Sequence, residues 1–229
     1  MANRNTVGFG LIPSAALGGT SAVGGQNKYK IDSGYGSSIY LGQPVQYDTA
    51  GGANDNPGYI INGQDAITRP TIGVFNGCFY TDATTNKPTF SSYFPRTTAP
   101  ANSEDVDAFI IDNPLQQYNV QLDTRLAATA ALAQAEMGST FGLTVRAAGT
   151  TTVSGSIISG QSNGQLTVGT GSTGIANQWR LLRVAEDPEN EDLVTAPQTN
   201  PALANFSGMA TVVVVVNKSQ WFTTGSVGA

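Results

Sequence analysis

The stretch ATVVVVVNKSQW, residues 210–221, contains an unbroken run of valines: Val212, Val213, Val214, Val215 and Val216. Valine is β-branched and disfavours helix, and the run has the length of one strand. A strand with water on one face alternates apolar and polar residues, and this run does not alternate. We therefore predict a strand that is buried on both faces. We expect the core of the domain to cover one face of this strand, and a helix, the N-terminal segment or a neighbouring subunit to cover the other.

Other apolar stretches extend this prediction to the whole fold. Short β-branched and aromatic segments recur at a spacing of about 8–12 residues, with Gly, Ser and Asn turns between them, a pattern that is typical of all-β sandwiches and barrels. Residues 71–82 and 107–123 contain the clearest of these strands, and residues 151–160 hold another candidate. The sequence leaves barrel and sandwich open. It predicts at most one short helix, within residues 124–138, capped by Asp123 or Thr124.

The first 36 residues differ from the rest in composition. They are poor in charge, rich in Gly, Ala and Ser, and show no helical period, which favours an extended arm over residues 1–36 ahead of a β-rich domain over residues 37–229. A small inserted lobe is expected around residues 124–175. A lone arm buries too little apolar surface to offset the entropy of ordering, so we expect something outside it to hold it in place. The apolar residues expected to dock on a partner are Val7, Phe9, Leu11 and Ile12.

Composition restricts the chemistry. The 229 residues include no histidine, so no imidazole base or metal ligand is present, and the single cysteine, Cys78, permits no internal disulfide. The formal net charge is −5 with 11 scattered Lys and Arg, which argues against nucleic-acid binding. No run of 18 apolar residues and no leader-like apolar segment occurs, so we expect a protein made in the cytoplasm that does not enter a membrane.

Few residues suggest a specific site. The acidic segment EDPENED, residues 186–192, offers several oxygens to a calcium ion but lacks the spacing of a calcium loop, so a solvated loop is favoured and no metal or cofactor is predicted. Paired carboxylates, including those of SEDVD at residues 103–107, are also the groups that glycoside hydrolysis uses. Trp179 and Trp221 are predicted to anchor the core or a subunit interface, and Cys78 to be a buried structural thiol.

Several segments taken together resemble a known group of proteins. The order of YLGQPVQ at residue 40, IGVFNGCFYTD at 72, FSSYFP at 90 and QWRLLRVAEDPENED at 178, ahead of the valine strand, is similar to decoration (cement) proteins of tailed-bacteriophage heads. The opening TVGFGLIPSAALGG also resembles the start of such proteins. This resemblance implies a compact β domain with an N-terminal arm. It also implies a homotrimer that binds the major capsid protein on the outside of the virion and bridges capsid subunits.

Other functions stay open at this stage. A tail, fibre or adhesin domain that binds glycans has a similar composition and would display aromatic side chains in a shallow groove. An acid/base glycosidase would place two carboxylates across a groove. A major capsid subunit is disfavoured because the chain is short and has only one candidate helix. The sequence thus favours a non-enzymatic structural protein.

Overall fold

The computed structural model describes residues 8–17, 25–48, 58–63, 70–96, 100–127, 129–145, 155–173, 176–186 and 210–219. Within these ranges the chain forms two antiparallel sheets and one short α-helix. The predicted all-β fold is therefore confirmed, and of the two architectures left open it is the sandwich.

One sheet contains the valine strand, and we call it the valine sheet. Its six described strands lie in the order β1-β8-β12-β11-β9-β10. Their bounds are β1 (Ile12–Ala16), β8 (Gln116–Gln121), β9 (Thr140–Val145), β10 (Gly164–Ser172), β11 (Trp179–Val184) and β12 (Thr211–Val216). The valine strand β12 is central, between β8 and β11.

The other sheet carries an outward-facing group of phenylalanines, and we call it the phenylalanine sheet. Its described strands lie in the order β2-β7-β5-β3-β4, and β6 also pairs with β5. Their bounds are β2 (Asn27–Ile31), β3 (Pro44–Tyr47), β4 (Ile60–Asn62), β5 (Gly73–Thr81), β6 (Pro88–Ser91) and β7 (Val106–Ile111).

The neighbours of the valine strand show the alternation that the strand itself lacks. Val214 lies opposite Tyr118 on β8 and Leu181 on β11, and all three side chains are fully buried in one apolar cluster. Val213 lies opposite Asn119 and Arg183. Directly opposed residues in a sheet share a face. The inner face of β12 is therefore surrounded by apolar side chains, and its outer face by polar ones.

The outer valines are nevertheless buried. Val213 is 1% exposed and Val215 is 6% exposed. Val215 lies opposite Gln117 and Arg180, and Arg180 has a long aliphatic stem. The Arg180 guanidinium donates to the Gly138 carbonyl at 2.8 Å and to Asn217 Oδ1 at 2.8 Å, so its stem is fixed along the sheet. Stems of this kind cover apolar surface while their polar ends reach water.

Two residues connect the two sheets. Val74 lies on β5 and Ile111 on β7, yet both belong to the core of the valine sheet. A second cluster, which includes Phe75 and Ile110, lies under the phenylalanine sheet. The chain therefore holds two adjoining cores, which meet at the start of β5.

The arm predicted over residues 1–36 contains two strands in its described part, and it is part of both sheets. Strand β1 pairs with β8, and β2 pairs with β7. The partners that hold these two segments are strands of the same chain, so no outside partner is required to order them. Strand β1 was missed because IPSAA has no apolar-polar alternation. Strand β2 was missed because its alternation covers only the four residues from Lys28 to Ile31.

Two local predictions were wrong. Helix α1 (Ala130–Ala135) lies within the predicted range, but its predicted cap was wrong, because the helix begins after Thr129, whose hydroxyl accepts from the Leu132 amide. Asp123 does not cap it, because its carboxylate accepts from the Val168 amide at 3.0 Å and joins β8 to β10. Of the strand predicted over residues 151–160, residues 151–154 lie outside the described ranges, and residues 155–160 form a turn.

Candidate interaction surfaces

The four arm residues predicted to dock on a partner lie in different environments. Leu11 is 1% exposed and belongs to the core of the valine sheet, so its side chain does not face a partner in this conformation. Phe9 is half-buried, and Val7 lies outside the described residues. Ile12 is 41% exposed on the edge strand β1. Only Ile12 therefore presents a large apolar surface among the described members of this group.

The second predicted group lies mainly in the core. Val212 to Val215 are buried, and Val216 packs partly buried against the same cluster. Trp179 is fully buried, and its ring meets that of Tyr118 edge-on at 5.7 Å between centroids. Trp221 lies outside the described residues. Trp179 therefore offers no ring to a ligand.

A first exposed surface lies where β1 meets the turn between β7 and β8. Leu17 is 39% exposed and Leu115 is 49% exposed, and the Leu17 amide donates to the Leu115 carbonyl at 2.8 Å. These two residues form what we call the edge strip. One signal for it lies in the sequence, since Leu115 is an apolar residue that follows Pro114 in a turn. That signal was not used in the prediction.

A second exposed surface lies on the outer face of the phenylalanine sheet. Phe79 is 40% exposed and Phe90 63% exposed, and they are register partners on β5 and β6. The ring of Phe90 meets that of Phe109 at 5.9 Å. Sequence reasoning missed this group because Gly77, with φ 124°, forms a bulge in β5 that changes which face the following residues occupy.

A cleft of about 410 Å³ adjoins the Phe79 ring. Its walls are mainly polar and include Lys30, Glu104, Asp105 and Asp107. The Asp107 carboxylate pairs with Lys30 Nζ at 2.5 Å and with a second ammonium, that of Lys28, at 3.1 Å. Burial opposes ionisation of the Asp107 carboxyl, but the two ammonium groups outweigh it and hold its pKa below the usual value.

The far wall of this cleft is a strained loop. Asn102 and Ser103 have φ values of 59° and 56°, a region that residues other than glycine seldom adopt. Just beyond it, Asp105 accepts a short hydrogen bond from the Tyr59 hydroxyl. That hydrogen bond, helped by partial desolvation, raises the pKa of Tyr59 to about 12. The cleft thus presents fixed carboxylates and one ammonium beside an aromatic ring, an arrangement suited to a ligand rich in hydroxyl groups.

A third surface combines a projecting turn with a small pocket. Residues 155–160 form what we call the isoleucine turn, in which Ile157 is 68% exposed and Ile158 is 95% exposed. The adjacent pocket has a volume of about 180 Å³. We call it the apolar pocket, and its lining includes Phe9, Ile12 and Gln161. The Gln161 amide group donates to the Phe9 carbonyl at 3.0 Å and so connects the turn to the pocket wall.

The remaining predicted features add no site. Glu186, the only described member of the acidic residues in 186–192, lies 3.8 Å from Arg183 Nη1. Among the described residues, no group of three or more Asp, Glu or Cys side chains is arranged to hold a metal ion. Cys78 is fully buried, and burial raises the pKa of its thiol to about 12. It therefore stays protonated and unreactive at neutral pH.

No protein-family model, curated protein or solved structure matches this chain. Within the residues that the structure describes, no helix has the length and apolar character needed to span a membrane.

Proposed function

We propose that this protein is a structural component of a phage virion that binds the outer surface of the capsid and bridges neighbouring capsid subunits. Under this proposal its partners are the major capsid protein and further copies of itself, in a homotrimer. It acts without catalysis and without nucleic-acid or membrane partners, and reaches the capsid exterior after synthesis in the host cytoplasm. The sequence resemblance and the all-β fold support this proposal.

The observation that carries the proposal is the edge strip. Strand β1 is the last described strand at one edge of the valine sheet, and Leu17 and Leu115 expose apolar surface at its end. An edge strand offers backbone hydrogen bonds to an added strand, and flanking apolar side chains supply contact area. A rigid edge of this kind suits attachment to a second protein surface better than it suits chemistry on a small molecule.

The contribution of the strip to binding can be approximated. Leu17 and Leu115 each expose a little under half of their surface, so burying both against a capsid contributes on the order of 2 kcal/mol, or about 30-fold in affinity per subunit. A trimer that engages three sites multiplies this contribution through avidity. Weak contacts of this size therefore suffice for full occupancy when they are repeated.

The test uses the double variant Leu17→Ser, Leu115→Ser and phage heads that lack this protein. Co-sedimentation with the heads is measured over a range of protein concentrations. The control is Phe90→Ser, which removes a more exposed apolar side chain from the other sheet. We expect the double variant to remain folded and to lose most of its head binding, while the control binds as wild type does. If the double variant decorates heads as wild type does, the edge strip is not the attachment surface and the proposal loses its support.

A second candidate function, recognition of a glycan, is favoured by one observation. The cleft beside Phe79 joins a partly exposed aromatic ring to Lys30, Asp105 and Asp107, and sugars bind to such surfaces through ring stacking and bonds to their hydroxyl groups. Binding of the purified protein to a glycan array tests this function. It is supported if Phe79→Ala abolishes a specific signal that Phe90→Ser leaves intact, and it is excluded if wild type binds no glycan.

A further inference from the structure

The exposure of the isoleucine turn is not a consequence of a loose loop. The Ser156 hydroxyl accepts from the amides of Ile158 and Ser159, and the Gly160 amide donates to the Ser156 carbonyl at 2.7 Å. The Ser156 amide in turn donates to the Gln161 carbonyl at 2.8 Å. The backbone of the turn is therefore fixed from within. It holds two large apolar side chains in water, where they lose the free energy that burial would provide.

The base of the turn is also fixed to the body of the protein. The Leu41 amide donates to the Gly160 carbonyl at 2.9 Å, and the Ser162 amide donates back to the Leu41 carbonyl at the same distance. A Cβ atom at Gly155 would lie 2.3 Å from the ring of Tyr40, so the turn packs directly on that ring. Tyr40 is itself stacked on Tyr93 at 5.5 Å. The two isoleucines are thus presented on a rigid support, which lowers the entropic cost of inserting them into a partner.

The apolar pocket matches such a side chain in size and chemistry. Its volume of about 180 Å³ is slightly larger than an engineered cavity of about 150 Å³ that binds benzene. No residue that lines the pocket or forms the turn is ionised at neutral pH. Gln161 follows the turn directly and also lines the pocket, so both features lie on the same side of the molecule.

We propose that the isoleucine turn of one copy inserts into the apolar pocket of a second copy. The partner is a second copy because one chain carries both the turn and the pocket. Since both lie on the same side of the molecule, each copy can insert its turn into the pocket of another copy and form a closed assembly. A lipid surface is the weaker match, because neither half carries a cation for anionic headgroups and the chain has a net charge of −5. This inference rests on the self-association included in the proposed function and names the surface that produces it.

Cysteine cross-linking tests the contact directly. Variants Ile158→Cys and Ile12→Cys are purified separately, mixed, and oxidised mildly, and the linked peptides are identified by mass spectrometry. A bond between residues 12 and 158 in this mixture is intermolecular by design, and the buried Cys78 does not compete. The matched control mixes Ile158→Cys with Leu132→Cys, since Leu132 is 56% exposed on α1. We expect the 12–158 bond to form well above the level of the 132–158 bond.

Sedimentation velocity supplies a second, independent measurement. Replacing Ile158 with Ser removes one inserted side chain and is expected to weaken self-association roughly tenfold to hundredfold. Leu132→Ser serves as the control and should associate as wild type does. The proposal is overturned if Ile158→Ser associates normally, if the 12–158 bond does not exceed the control, or if wild type is monomeric at every concentration. Binding of the monomer to phosphatidylcholine vesicles through Ile158 would overturn it in favour of a lipid partner.

These measurements contain no capsid, so they are distinct from the test of the proposed function. If the double variant Leu17→Ser, Leu115→Ser loses head binding but cross-links normally, attachment and self-association use separate surfaces. If wild type binds heads but forms no bond between residues 12 and 158, only the contact between copies is rejected, and the proposed function stands.

Discussion

Threonine substitutions on the two faces of β12 should differ sharply in cost. Threonine has nearly the shape of valine and a similar preference for strands, so Val213→Thr and Val214→Thr change little except the chemistry of one branch. Both valines are almost fully buried, at 1% and 0% exposure. The exposed fractions alone therefore predict the same loss of stability for both variants. The cross-strand neighbours of the two positions predict different losses.

The magnitude follows from the neighbours. At position 214 the new hydroxyl lies between Tyr118 and Leu181 in the apolar core, and a buried hydroxyl without a partner costs about 2 kcal/mol. At position 213 it lies between Asn119 and Arg183, whose polar groups supply a hydrogen bond, so the cost falls to roughly 0.5 kcal/mol.

Urea unfolding followed by tryptophan fluorescence measures the difference, because Trp179 is fully buried in the same core. With a slope near 3 kcal/mol per molar, as suits a chain of this size, a cost of 2 kcal/mol lowers the midpoint by about 0.7 M. Val213→Thr should shift it by less than about 0.2 M on the same basis. Equal shifts for the two variants would falsify the assignment of an apolar inner face and a polar outer face.

Three further predictions concern other parts of the fold. Gly73→Ala should lower the free energy of unfolding by about 3 kcal/mol or more, because a Cβ there would lie 2.2 Å from the Ile111 carbonyl oxygen. Gly169→Ala is the control and should be nearly neutral in thermal unfolding, because a Cβ there would meet nothing within 4 Å. Burial raises the pKa of the Cys78 thiol to about 12 from its usual value near 9. The stabilisation from this buried thiol should therefore be fully present below pH 9 and fall as pH rises toward 12. The urea midpoints measured at pH 9 and 10 should fall less in Cys78→Ala than in wild type. The pKa of Asp107 is lowered, so the stabilisation from its carboxylate should be lost as pH falls through that pKa. Asp107→Asn should therefore have a lower Tm than wild type at neutral pH, and the two Tm values should converge in acid. A constant difference in Tm would contradict the ion pair.

The sequence indicated the strands wherever burial imposed a pattern on the residues. The segments around β5, β7 and β12 were placed correctly because a run of apolar or alternating residues has few other stable conformations. In strand β2 the polar-apolar alternation covers only the four residues from Lys28 to Ile31, and only Ile31 is fully buried, so the pattern is too short to identify the strand. Its place depends on pairing with β7, about 80 residues away, and single-sequence patterns do not contain that information.

The interaction surfaces were less predictable for a different reason. An apolar residue in a strand is normally assigned to the core, and Phe79 and Phe90 lie outside only because the bulge at Gly77 changes the phase of β5. The glycine signalled a bulge but not which side of it would face water. Ile157 and Ile158 suggested a strand, and the turn formed instead because Ser156 binds the amides that a ladder would need.

The long separation between paired strands constrains how the chain is made. Ser14 of β1 and Gln117 of β8 are 103 residues apart, yet they are hydrogen-bonded. A ribosome adding about 5–20 residues per second takes roughly 5–20 s to travel between them. During that interval the first strand has been made and its partner does not yet exist, so pairing of β1 with β8 waits until the 103 residues that separate these two have been added. Slow, non-local folding of this kind leaves the nascent chain dependent on protection from aggregation while it waits.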